Sequence, residues 1–456
     1  MDPISYAVAL GAAGSAEQDD YWVLAIETTL SDYYNLGSGH GVFVDSARNV
    51  YFSGAPRYTN LKTQGQGENF PTVFKIDKSG AIQWVRQLYN NSTINEDHFV
   101  TRAVADSSGN VYLPASRNNY FPNIAKFNSS GTEQFIKAHN GNGNNTDYIT
   151  DTAIDSSGNI YLAGQTQETY LEGSIKKISS SGTVTWERKF TVGSYTVEFS
   201  GVDVDSSGNV YVVGYGRPGT TRSTILVVKL SSTGSTTWQR SVQLGSDTYS
   251  NLGYGICVDS SGNVYVVGRS GSNASMLVKF NSSGTMQWAR ELAIGNETMA
   301  EVRVDSNDNV YTAGQSDDNN SMLIWCKFNP SGTLQLGRKF TTTNGFGLMR
   351  RNSSVFDMDD KNNLYLITFD GSNAMPYVIK VPNDGSLTGA ITFASNVVNA
   401  DLVYASASFT VSSVTPSVTT PSSTDMVNSD INSSTITSDF SSGTYTSYDS
   451  DLDTIS

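Results

Sequence analysis

Acid–base or nucleophilic chemistry needs a reactive side chain beside a group that activates it. The three histidines, His40, His98 and His139, stand at irregular, loop-like places. No Gly-x-Ser-x-Gly elbow precedes a helix, so a Ser–His triad has no support in the sequence. No glycine-rich phosphate loop followed by Lys-Ser or Lys-Thr occurs either. Cys257 and Cys326, the only cysteines, fall within apolar strand patterns and read as buried free thiols; two thiols cannot make a zinc set. What does recur is a carboxylate in a turn: Asp45, Asp106, Asp155, Asp205, Asp259, Asp305 and Asp359, each followed four residues later by Asn and six later by Tyr. Such an Asp accepts hydrogen bonds from backbone N–H groups in the bend. The turn faintly resembles a calcium loop, yet it offers one carboxylate where an EF-type loop supplies several and a terminal Glu. The expectation is a non-enzyme with no catalytic, cofactor or metal residues.

The elements holding these turns follow from the spacing. Around Asp205, Val202 and Val204 alternate with polar neighbours, and Val210 to Val213 is a β-branched and aromatic run. Asp205-Ser-Ser-Gly-Asn209 between them is turn chemistry, with Gly208 free to take a positive φ. Both faces of the second strand are apolar, so something must cover each side. A second hairpin follows: Lys229, the turn glycine Gly234, Trp238 and Arg240, with counterparts in the other copies. The seventh copy departs, with Gly389 in the Trp slot and Ile391 in the basic one. Each unit is four short strands, A to D, and the unit repeats every ~50 residues, the mark of a repeat architecture. Sheets apolar on both faces suit radial stacking. The fold class predicted is all-β: a seven-bladed β-propeller of four-stranded antiparallel blades, with a short N-terminal leader and a Ser/Thr-rich acidic C-terminal tail. The divisions are 1–20 leader, 21–400 propeller and 401–456 extended or disordered tail.

Charge narrows the partners. The net charge of −14 would repel a phosphate backbone, which argues against nucleic acid. No stretch approaches the ~20 apolar residues of a membrane helix. The leader has small and apolar residues but begins with Asp2 and lacks a basic region, so it reads as a tether rather than a signal peptide. Tyr21-Trp22-Val-Leu-Ala-Ile26 runs parallel to the strand at Thr237-Trp238 and looks like a D strand without its own A, B and C. It is predicted to complete the last blade beside Tyr365 and Val378, because closure removes unpaired sheet edges. The degenerate segment from Gly389 to Phe393 would then be displaced outward. Residues 405–456 contain no Lys or Arg and six Asp. Alone this tail should be disordered; in an assembly it would add a strand to an edge of another subunit.

The B–C connections differ most from copy to copy and are predicted to gather on one face, where binding usually resides. Arg57, Tyr58, Tyr120, Phe121, Tyr170 and Arg217 are the candidate binding residues, the types a sugar- or protein-binding face uses.

The motif Val-Asp-Ser-Ser-Gly-Asn-Val-Tyr-Val-Val-Gly, followed by Lys-Phe-Asn-Ser-Ser-Gly-Thr-x-x-Trp-x-Arg, resembles the bacterial SBBP-type β-propeller repeat over residues 40–395. The layout of leader, Tyr21-Trp22 strand, repeats and the tail Val414-Thr-Pro-Ser-Val-Thr-Thr-Pro421 is similar to structural proteins of marine tailed phages, especially cyanophages. That resemblance implies a virion protein, tail- or fibre-associated, made in the host cytoplasm and present in multiple copies. Its termini would hold other virion proteins, and its exposed face would meet a host surface glycan or protein. The alternative is a secreted bacterial surface or lectin-like propeller, extracellular. A quinoprotein dehydrogenase would need an eighth blade, a calcium ligand set and a base, none of which can be assigned.

Overall fold

A computed structural model describes residues 21–25, 40–55, 57–58, 68–69, 71–90, 98–117, 121–138, 148–167, 171–191, 196–216, 222–243, 250–269, 271, 274–293, 297–316, 322–341, 354–369, 376–384 and 389–391. In the tail it describes 402–406, 410–413, 417–419, 427–430 and 445–449.

Seven antiparallel sheets form the blades of a β-propeller. Blade 4 shows the plan: strand A is Glu198–Val204, B is Val210–Gly216, C is Thr224–Leu230 and D is Thr236–Gln243, paired in that order. Val210 and Val212 pack with Tyr161, Ala163 and Ile175 of blade 3. Tyr211 and Val213, on the opposite face, pack with Ile256, Val264 and Val266 of blade 5. Both apolar faces are thus covered by neighbouring sheets, as the sequence pattern required. The A strands of blades 3 to 6 share a bulge, at Ile149/Asp151, Phe199/Gly201, Gly253/Gly255 and Met299/Glu301, which bends each one where it meets the central channel.

The A–B turn is the same device throughout. In blade 4 the Asp205 carboxylate accepts from the backbone N–H of Ser207 and Asn209 (both 2.9 Å), from Asn209 Nδ2 (2.8 Å) and from Tyr211 Oη (2.9 Å). Gly208 sits at φ 76°, where a side chain is disfavoured. Arg48, Asp308 and Asn362 hold that left-handed place in blades 1, 6 and 7, so the hydrogen bonds of the Asp keep the turn even without glycine.

The D strand joins each blade to the next. Trp238 Nε1 donates to the Ser282 carbonyl (3.1 Å) and Arg240 Nε to the Gly284 carbonyl (2.7 Å), both in the C–D turn of blade 5. A Cβ on Gly284 would lie 2.8 Å from the Trp238 ring, so the turn glycine lets the indole lie flat against it. The aromatic residue of the D strand is therefore an inter-blade hydrogen-bond donor.

Ring closure follows the predicted scheme. Trp22–Ala25 pairs antiparallel with Pro376–Val381, Trp22 opposite Lys380 and Leu24 opposite Val378, and supplies the D strand of blade 7. Trp22 fills the slot that Gly389 leaves empty: its Nε1 donates to the Lys78 carbonyl of blade 1 (3.0 Å), and its ring lies over Gly80. Gly389–Ile391 is displaced onto Leu402–Ser406, outside blade 6.

The described strands of the tail add to blades of the same chain. Leu402–Ser406 pairs with the D strand of blade 6, Thr410–Ser413 with blade 5, Ser417–Thr419 with blade 4, Val427–Asp430 with blade 3 and Tyr445–Asp449 with blade 1. The physical reason is that each D strand offers an unpaired row of N–H and C=O groups, the nearest partners for an extended chain without a core of its own.

Candidate functional site

The A strands converge on a central channel, and the first candidate site is there. A cavity of about 130 Å³ is lined from all seven blades, among others by Phe43, Arg102, Ala153, Asp203, Ile256, Arg303 and Asp357. The strands crowd closely: a Cβ on Gly201 would stand 2.6 Å from the Tyr254 carbonyl oxygen, and one on Gly255 2.6 Å from that of Ala300. Glycine at these two places leaves the room that larger residues occupy in other blades.

The charged groups in the channel satisfy one another. Arg303 Nε donates to Asp357 Oδ1 (2.8 Å) and its Nη1 to Glu301 Oε1 (2.5 Å). Arg102 Nη2 lies 3.3 Å from Asp151 Oδ1 and donates to the Thr152 carbonyl (2.8 Å). Ser354 Oγ of blade 7 donates to Asp151 Oδ1 of blade 3 (3.0 Å), a bond that crosses the axis. Backbone N–H groups of adjacent blades complete the carboxylates: Val202 to Asp151 (3.0 Å), Val258 to Asp203 (2.9 Å) and Val44 to Asp357 (2.8 Å). Burial pushes the Glu301 carboxyl up against the pull of Arg303. Burial would lower Arg303, but Glu301 and Asp357 outweigh it and hold the guanidinium charged. Asp203 is raised by burial despite its backbone donors and the two arginines.

This network ties blades together; it does not assemble a reactive pair. On the blade 5 A strand, burial first, then Asp203, push the Cys257 thiol well up, which keeps it protonated and inert. Cys257 and Cys326 are both free and buried, as the sequence suggested. In each turn the Asp oxygens already accept from backbone, Asn and Tyr. Among the described residues no group of three or more His, Cys, Asp or Glu is arranged to hold a metal ion.

The second candidate is the face carrying the B–C connections, opposite the Asp turns. Arg57–Tyr58 forms a two-residue strand paired with Glu68–Asn69, within the long first connection. Phe121 opens the C strand of blade 2 opposite Arg117 at the same end of the blades. Tyr120, Tyr170 and Arg217 lie outside the described residues. Sequence reading missed the channel residues. Their signal was present: Asp203, Arg303 and Asp357 stand two residues before the turn Asp, where other copies have Phe43, Val104, Ala153 and Cys257.

Fold and site together define a seven-bladed β-propeller module. Residues 239–273 match the profile of the SBBP beta-propeller repeat. No curated protein sequence matches the chain. Solved structures with a similar arrangement include a protein of unknown function from Bacteroides caccae, at 13% identity and TM-score 0.36, over 58% of this chain and 88% of that one. Polysaccharide lyase Uly1 aligns at 9% identity and TM-score 0.49, over 84% and 99%. The quinohemoprotein alcohol dehydrogenase of Comamonas testosteroni aligns at 9% and 0.41, over 78% and 77%.

Proposed function

We propose that the chain is a non-enzymatic structural and binding module of a phage virion, tail- or fibre-associated, with its B–C loop face toward the host surface. The observation that carries a binding rather than a catalytic role is the commitment of the described channel arginines, Arg102 and Arg303, to a carbonyl and a carboxylate of the next A strand. The ring is in this reading a rigid scaffold, and the B–C connections at one end differ most from copy to copy. Arg57, Tyr58, Tyr120, Phe121, Tyr170 and Arg217 are the contact residues proposed, for a glycan or protein ligand. The protein is made in the host cytoplasm, carried in multiple copies, and held to other virion proteins through its terminal segments. Peptide mass spectrometry of purified particles tests the location: the protein is expected in the particle with Met1 to Ala16 retained, and its absence from particles ends the reading. Host-cell binding by the purified protein should fall at least tenfold in a Tyr58→Ala, Phe121→Ala double variant. Unchanged binding would remove the loop face from the proposal.

A further inference from the structure

The five tail strands occupy their blades in one phase. Opposite Arg338 stands Ser406, opposite Arg290 stands Ser413, opposite Arg188 stands Asp430 and opposite Arg86 stands Asp449. In blade 4, Ser241, the neighbour of Arg240, faces Thr419. These arginines are the same landmark in each D strand, two residues past the aromatic slot, so every tail strand reaches the same height on the rim. The tail visits blades 6, 5, 4, 3 and 1, against the order in which the chain built them. Repetition of one register on five edges marks equivalent sites.

Three of the five sites pair main-chain edges with a fixed positive charge. Arg86, Arg188 and Arg290 are anchored through Nε to the carbonyls of Gly131, Gly234 and Gly332 in the next blade, at 2.6, 2.9 and 2.7 Å. Their chains are therefore held rather than free to swing away. The sequence from 402 to 456 has no Lys or Arg, and two of its six Asp, Asp430 and Asp449, stand in register with arginines. Strands of three to five residues are individually weak partners. Five joined in series gain from effective concentration, each raising the occupancy of the next.

We infer that the outer rim of the propeller is a ring of equivalent strand-docking sites, selective for extended, acidic, Ser/Thr-rich segments free of Lys and Arg. The chain's own five described tail strands, between Leu402 and Asp449, are the resident occupant. Main-chain pairing supplies the affinity and the rim arginines supply the selection for charge. The inference is independent of what the loop face binds.

The test uses the full chain with a protease site placed at residues 395–398 and cut only after folding. The severed tail is expected to stay with the propeller through gel filtration at 0.15 M salt. A fluorescent peptide of residues 402–449 should enter the cut protein by exchange and should not enter the uncut protein, whose tethered tail competes at millimolar effective concentration. The same peptide carrying Asp430→Lys and Asp449→Lys should bind at least tenfold more weakly. Release of the tail on cutting would overturn the rim as a docking surface, and equal binding of the two peptides would overturn its selectivity.

Discussion

At the scale of single residues, the turn Asp and the channel arginine carry the argument. Asp205 is half-buried, which by itself would raise its pKa, but the donors from Asn209, Tyr211 and Ser207 outweigh this and hold it below the usual range. A carboxyl with a depressed folded pKa contributes stability above its unfolded value of about 3.9, and loses it as pH falls. Asp205→Ala should cost about 2 kcal/mol at pH 7 by urea denaturation. The gap from wild type should narrow below about pH 4. The opposite sign applies to its partner. Tyr51, Tyr161, Tyr211, Tyr265 and Tyr365 are each raised well above the ordinary 10.0, by burial first and by the adjacent Asp. A raised phenol contributes stability that is whole below the unfolded pKa and is lost as pH climbs past it. Stability should therefore fall steeply above about pH 10. Tyrosinate absorbance rising together with the loss of β circular dichroism would check this. Arg303→Met leaves Glu301 and Asp357 buried without their cation and should destabilise by roughly 3–5 kcal/mol. A loss below 1 kcal/mol would show that the channel network does not brace the ring.

At the scale of the strand and turn, glycine and tryptophan act as one joint. Gly284→Ala places a methyl against Trp238 at φ 75° and should cost more than about 1 kcal/mol, twice penalised by backbone and by contact. Asp308→Gly should do the reverse. Asp308 sits at φ 60° where four other copies have glycine, and relieving that conformation should gain about 1 kcal/mol in equilibrium unfolding. Much of this joint was legible beforehand, because Lys, Gly, Trp and Arg recur at fixed offsets. The direction of the contact was not. Offsets within one repeat cannot say that Trp238 donates to Ser282 of the following blade.

At the scale of the whole molecule, the ring is closed by residues more than 300 positions apart. Trp22–Ala25 completes blade 7, and the backbone of Val42 donates to the Ser354 carbonyl (3.0 Å) at the inner rim. Deleting residues 1–30 removes the closing strand and should lower the melting temperature by more than 10 °C in a calorimetric scan; an unchanged transition would mean that the ring holds without it. The repeat itself determined the strands, the turns, the number of blades and even the orphan D strand, because those depend on local pattern and on resemblance between copies. Tertiary structure alone decided which charges meet in the channel, since Arg102, Asp151 and Ser354 become neighbours only when seven A strands converge. It also decided the fate of the tail. A Ser/Thr/Asp-rich segment with too little apolar surface for a core of its own does not name its partner, and the open edges of the D strands exist only once the blades have formed.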